Sequence, residues 1–191
     1  LIVMLGVQKG IEKVGKVMMP ALVVLMIVVI VYVFCTVEGI GEGILYYIKP
    51  DFSKFNYMTV VSAMGQLFYS MSLAMGIMIT YGSYVKKDTD LTKSVNQIEI
   101  FDTAVAFLAG MMIIPAVYTF MGPAGLEYAG PGLMFITIPK VFESMGMGTF
   151  IGASFFIMVF FAALTSSISI LETCVSTLTD ELKWSHQRAT L

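Results

Sequence analysis

The side chains of this 191-residue chain that could do chemistry are oxygen-bearing groups set inside long apolar runs. The densest stretch runs from Ala63 to Gly76, inside an uncharged run from Phe55 to Val85. Gln66 brings an amide, Ser70 and Ser72 bring hydroxyls, and Gly65, Ala74 and Gly76 are small. The run is long enough to cross a bilayer as helix. In hydrocarbon every backbone N–H and C=O needs a partner, so a break is tolerated only beside protein or a wet cavity. If the helix opens around Ser70–Ala74, freed carbonyls can hold a cation, and the first N–H groups of the following half-helix can hold a carboxylate. A continuous helix whose small residues pack against neighbours fits the same composition.

Two further places carry oxygen. Asp102 lies near the start of the third apolar span, at its cytoplasmic end, or deeper if that helix starts near Leu91. A carboxylate at membrane depth signals an ion path or a partner; near the interface the same Asp would cap a helix. The third place is Ala162–Ile170, where Thr165, Ser169 and Glu172 share a helical face with Ala162. Oxygen donors of this kind suit hard cations better than zinc or copper, although such hydroxyls also bond back to their own turn. The sequence holds no metalloprotease helix, no phosphate-binding loop and no catalytic triad order, so an enzyme is not expected. A basic nucleic-acid surface is absent too. His186, the sole histidine, sits in a charged tail and is given no ligand role; Cys35 and Cys174 read as small buried hydrophobes.

These groups must be positioned by membrane helices. The chain is 58% hydrophobic and 13% charged, which puts it in the membrane class. Long apolar runs predict four spans over residues 17–37, 57–84, 95–121 and 148–179, with ordered loops at 38–56 and 122–147. Pro20 falls near the start of the first, where a missing N–H is least costly. Leu133–Ile138 is too short and too proline-broken to span, and reads as a re-entrant or surface-lying cap. Lys9, Lys13, Lys16, Lys86, Lys87, Lys93, Lys183 and Arg188 fall on one side; Lys49, Lys54 and Lys140 fall on the other. The positive-inside rule puts the first group in the cytoplasm of a multi-pass protein of the cell membrane. Leu1 opens the chain in mid-apolar sequence, which reads as a piece of something larger.

An ordered set of motifs carries a resemblance. Gly6-Val-Gln-Lys-Gly-Ile-Glu-Lys13, Lys49-Pro-Asp-Phe52, Gly65-Gln66 through Ser72, Thr80-Tyr-Gly-Ser-Tyr84, Ala109-Gly110 with Pro115, and Leu164-Thr-Ser-Ser167 follow one another across nearly the whole chain. Together they resemble the fifth to eighth membrane helices of the neurotransmitter:sodium symporter family, bacterial branch. The resemblance implies an all-α membrane protein, a partial inverted-repeat symporter bundle with four transmembrane helices, one unwound mid-membrane. It implies a substrate pocket at Tyr69, Ser70, Ser72, Met75, Ser166 and Ile170. It implies sodium ligands at Ser70 and Asp102 and, at a second site, at Ala162 (by its carbonyl), Thr165 and Ser166. Gln66 and Ser70 would border a chloride or substituting carboxylate, and Tyr84 and Asp180 would belong to a cytoplasmic gate. The function so implied is sodium-coupled symport of a neutral amino acid by alternating access. It needs the family's first and third helices, so this segment alone would be inactive. A non-transporting receptor or scaffold of the same fold is the alternative.

Overall fold

The computed structural model of the chain describes residues 2–127 and 130–190. Expectations that rest on Leu1 or on the side chains of Lys9 and Lys54 lie outside the described residues. The described residues form helices and no strand: α1 (Glu12–Thr36), α2 (Ile40–Ile48), α3 (Tyr57–Ser70), α4 (Ile77–Tyr84), α5 (Leu91–Gly125), α6 (Ile138–Glu143), α7 (Gly148–Leu182) and α8 (His186–Ala189). Among them α1, α5 and α7 are long and apolar enough to cross a membrane. The stretch 57–84, expected as one interrupted span, is divided between α3 and α4, of 14 and 8 residues. Neither is long enough to cross alone.

The chain divides into two compact units, and α1, α5 and α7 each contribute to both. One unit comprises Ala21–Lys54 and Thr103–Phe160. Its core is built from helical stripes: Met26, Val29 and Val33 of α1, Met112 and Ala116 of α5, and Ile151, Phe155 and Met158 of α7. In a bilayer such burial replaces lipid contacts, so what a side chain like Phe155 contributes is close packing between helices. The Leu133–Thr137 π-helical turn and α6 add Ile138, Val141 and Phe142 to this core, with the Phe142 and Phe155 rings edge-on at 5.4 Å. A re-entrant or surface-lying cap was expected there, and of the two it is the surface-lying form that the buried side chains disfavour. The segment folds back into the interior, because its apolar residues come at helical spacing once Pro139 opens the short helix. Helix α2 approaches α5 closely enough that a Cβ on Gly43 would meet the Pro115 backbone.

The other unit comprises Leu1–Pro20, Phe55–Asp102 and Phe161–Leu191, around a smaller cluster of Val3, Ile168, Val175 and Ala189. Here α1 starts five residues earlier than expected, after a π-helical turn over Val7–Ile11. The polar residues 12–16 hold helix because Lys16 donates to Glu12 at 2.7 Å across one turn. Pro20 therefore lies in the helix interior, not near its start, and leaves the Lys16 carbonyl without its usual N–H partner. Helix α5 starts at Leu91, and its regular course ends at Gly122, where φ is 65° and ψ −166°. Cys35 and Cys174, expected to be buried, are exposed free thiols on the apolar surfaces of α1 and α7. Only 17% of the apolar window of α1, and 22% of those of α5 and α7, is buried within the chain.

Candidate functional site

Helix α3 begins with a reciprocal cap. The Thr59 N–H donates to Asn56 Oδ1 at 3.1 Å, and the Asn56 N–H donates to Thr59 Oγ1 at 3.3 Å. It ends tightly, with the Met71 N–H bonded to the Leu67 carbonyl and the Ser72 N–H to the Tyr69 carbonyl, both at 3.0 Å. Ser72 then turns left-handed, with φ 55° and ψ 27°. That conformation costs a non-glycine residue roughly 1–2 kcal/mol. A 3₁₀ turn over Leu73–Met75 follows, and Gly76, at φ 72°, opens α4. A Cβ on Gly76 would sit 3.6 Å from the Thr173 methyl, an ordinary contact, so the backbone angle and not space calls for glycine. No side chain caps α4, and its first N–H groups face the break with the positive end of the helix dipole behind them.

Ser70, the last residue of α3, donates its hydroxyl to both carboxylate oxygens of Asp102, at 2.6 and 2.8 Å. Because α5 starts at Leu91, Asp102 lies eleven residues into that helix and half-buried. It does not act as an N-cap. The break thus has a carboxylate and a hydroxyl at its edge, with Gln66 one turn earlier on an exposed face of α3.

Across the break, α4 is tied to α7 by two bonds in step. Tyr81 Oη and Ser169 Oγ are 3.1 Å apart, and Tyr84 Oη donates to Glu172 Oε1 at 2.8 Å. Residues 81 and 84 on one helix meet 169 and 172 on the other, so one helical turn sets both contacts. One turn up α7, Thr165 Oγ1 lies 2.9 Å from the Ala162 carbonyl and 3.1 Å from that of Phe161. A cleft of about 220 Å³ opens beside Thr165, Ser169 and Tyr81, with Gly15 and Ile11 on its far wall.

The residues singled out in the sequence therefore gather unevenly. Ser70 meets Asp102, and Ala162 meets Thr165. Ser166 is exposed on the same turn as Thr165, while Tyr69, Met75 and Ile170 are exposed side chains and Ser72 is partly covered. Tyr84 is bonded to Glu172, not to Asp180, which is exposed near the end of α7. Two residues were given no site role, although Glu172 was read as part of the polar stripe of Thr165 and Ser169. Glu172 is completely buried, and His186, given no role, lies 3.1 Å from Glu172 Oε2. The signal was available: Glu172 is the one charged residue in the sequence from Thr149 to Thr179. Among the described residues no group of three His, Cys, Asp or Glu side chains could hold a metal ion. The donors at the break are hydroxyl and carbonyl oxygens with a single carboxylate.

The sequence model of the sodium:neurotransmitter symporter family matches residues 1–191. The chain belongs to that family. It is 37% identical over 179 residues to an uncharacterized sodium-dependent transporter of Bacillus subtilis (strain 168), covering 93% of this chain and 39% of that protein. It is 30% identical over 190 residues to a sodium- and chloride-dependent glycine transporter 2 of Xenopus laevis, covering 95% of this chain and 24% of that one. Among solved structures, that of MhsT in complex with L-phenylalanine superposes with a TM-score of 0.83 at 40% identity, over 99% of this chain and 42% of that chain. The chain thus spans about two fifths of the length of its bacterial relatives. As a member of the sodium:neurotransmitter symporter family it belongs to a family of membrane transporters and not of enzymes.

Proposed function

We propose that the full-length protein carrying this segment moves a small neutral amino acid across the cell membrane together with sodium, by alternating access. The observation that carries this reading is the interruption of helix between Met71 and Gly76, with the Ser70–Asp102 pair at its edge. In this reading α3 and α4 together make one crossing, so the segment has four. The substrate carboxylate lies against the uncapped N–H groups of α4, and its side chain lies among Tyr69, Ser72, Met75, Ser166 and Ile170. One sodium ion takes oxygens from Ser70 and Asp102. A second takes the Ala162 carbonyl, Thr165 and Ser166. The Thr165 hydroxyl hydrogen can stay on the Phe161 carbonyl while its lone pairs turn to the ion, so the local bonding supports the assignment. Such donor sets suit a hard monovalent ion, since each offers at most one formal negative charge.

Gln66 and Ser70 border the position of a chloride or substituting carboxylate, and Tyr84 and Asp180 belong to a gate on the cytoplasmic side. The exposed apolar faces of Tyr69, Met75 and Ile170 are covered by lipid, by substrate or by further helices of the same protein. The bound phenylalanine named for the MhsT structure supports an amino-acid substrate. The test is counterflow of labelled neutral amino acids in vesicles containing the full-length protein, with and without a sodium gradient. Sodium-driven, saturable accumulation is expected. Saturable binding without accumulation would identify a receptor, and unsaturable flux a channel.

A further inference from the structure

Helix α2 grips α5 along one edge and stands off it along the next. Gly43 and Tyr47, one turn apart, press against Pro115 and Gly110. The adjoining face carries Glu42, Leu45, Tyr46 and Lys49 at the helical spacing i, i+3, i+4, i+7. With Ile114 and Tyr118 of α5 these residues line a cavity of about 930 Å³, within the range of about 300–1,000 Å³ usual for small-molecule sites. Tyr46 and Tyr118 stack with ring centroids 4.6 Å apart, so one wall is aromatic and joins both helices.

The lining carries both signs of charge at separate places. Lys49 caps the last turn of α2, where the helix dipole favours a cation. Glu42 stands seven residues, about 10 Å, back along the axis, beyond the spacing of three or four residues at which helical side chains pair. Asp51 also lines the cavity, past Pro50, and is held in place by Ser53, whose N–H donates to Oδ1 at 3.1 Å. Tyr118 comes four residues, about 6 Å, before the regular course of α5 ends at Gly122. That sets the cavity at the level of lipid headgroups, where tyrosines gather, while Leu45 and Ile114 continue the lining with apolar surface.

We propose that this cavity holds the headgroup of an outer-leaflet phospholipid, and that the headgroup is phosphoethanolamine. The phosphate lies against Lys49, the primary ammonium against Glu42 and Asp51, and the acyl chains leave over Leu45 and Ile114. A carboxylate only accepts and a primary ammonium offers three N–H donors, so the bonds between them are charge-assisted. A choline headgroup has no N–H to give. Its usual recognition is an aromatic cage, and here Tyr46 and Tyr118 each cover one face of the other. A glycerol headgroup brings no cation and would leave its phosphate beside two carboxylates.

The inference does not depend on which substrate is carried, and its test does not measure transport. The full-length protein is placed in nanodiscs holding equal parts of ethanolamine, choline and glycerol phospholipids with the same acyl chains, and the lipids it retains are read by native mass spectrometry. The ethanolamine lipid is expected to be retained about fivefold or more over each of the others, the scale of a hydrogen bond to a charged group. Lys49→Gln and Glu42→Gln should each lower that preference about threefold, the scale of a partly exposed ion pair. Lys140→Gln, which removes a lysine outside the cavity lining on the same side of the membrane, should leave it in place. Equal retention of the three lipids by the wild type overturns the site, and is the result if further helices of the same protein fill the cavity. A preference that survives both Lys49→Gln and Glu42→Gln, or falls as far in Lys140→Gln, also overturns it. Displacement of the lipid by soluble phosphoethanolamine would assign the cavity to a soluble zwitterion and overturn the lipid.

Discussion

Ser70 and Asp102 are 32 residues apart in sequence, and the hydroxyl of one is shared between the two carboxylate oxygens of the other. The bond joins the last residue of α3, where helix stops, to a point eleven residues into α5. It fixes the edge of the break to a continuous helix, so the gap has one firm wall.

Removing that hydroxyl is expected to weaken sodium-dependent ligand binding. A hydrogen bond to a charged group contributes about 1.5–3 kcal/mol, so Ser70→Ala should raise the sodium concentration for half-maximal binding by about tenfold or more. Asp102→Asn keeps an acceptor for Ser70 but removes the charge, and should weaken sodium dependence at least as far. Ligand affinity titrated against sodium in the full-length protein checks both, and unchanged midpoints in both would dismiss the proposed ion position.

Thr165→Ala probes the second proposed ion position. Among the described residues its hydroxyl bonds within its own turn of α7, and losing that bond should cost the fold about 1 kcal/mol or less. A small change in melting temperature with a several-fold loss of sodium dependence is expected. A change in stability alone, with sodium response intact, would assign Thr165 to packing.

Ser72 tests the break as a backbone feature. Its left-handed φ of 55° is relieved by glycine at roughly 1–2 kcal/mol, offset by about 0.5–1 kcal/mol of chain entropy. Ser72→Gly should therefore be neutral or slightly stabilising in thermal unfolding. Ser72→Val, β-branched and ill-suited to positive φ, should lower stability by about 1–2 kcal/mol. Equal melting curves for the two variants would mean that the chain is not left-handed there.

Gly110 and Tyr47 form a steric pair. A Cβ on Gly110 would overlap the Tyr47 ring, whose hydroxyl reaches the Phe107 carbonyl at 3.3 Å. Gly110→Ala should destabilise by about 1–3 kcal/mol through overpacking, and much of that loss should vanish when Tyr47 is also Ala. A double-mutant cycle measures the coupling, and strict additivity would show that the two residues are not in contact.

The sequence was legible where the signal is local. Long uncharged runs anticipated an all-helical protein with helices able to cross a membrane, and the small and hydroxylated residues around Ser70–Ala74 marked the stretch where helix is left. The Asn56 and Thr59 cap, also a short-range pattern, was not anticipated. What escaped depends on partners far along the chain. The early start of α1 turns on a salt bridge and a π-helical turn that hydropathy does not register. Leu133–Glu143 looked peripheral because prolines flank it, yet its apolar face finds a core made by α1, α5 and α7. Glu172 was noticed only as part of a stripe, since nothing nearby in sequence foretells that Tyr84, 88 residues upstream, and His186 will converge on it. Of the candidate site, Thr165 meeting Ala162 is a local contact, whereas Ser70 meeting Asp102 spans 32 residues and came only from the family resemblance.

Helix α7 has 35 residues, about 52 Å at 1.5 Å per residue, against about 30 Å of hydrocarbon. Roughly 22 Å of it must overhang, or lean, beyond the oily slab. If the two ends share the overhang, Glu172, about 15 Å in from Leu182, falls just beneath the headgroups. Lipids with shorter acyl tails would bring that carboxylate up to the phosphates, and longer tails would draw it deeper. Membrane thickness then acts directly on how deep the Glu172 carboxylate sits, and reconstitution across a tail-length series should shift its depth step by step.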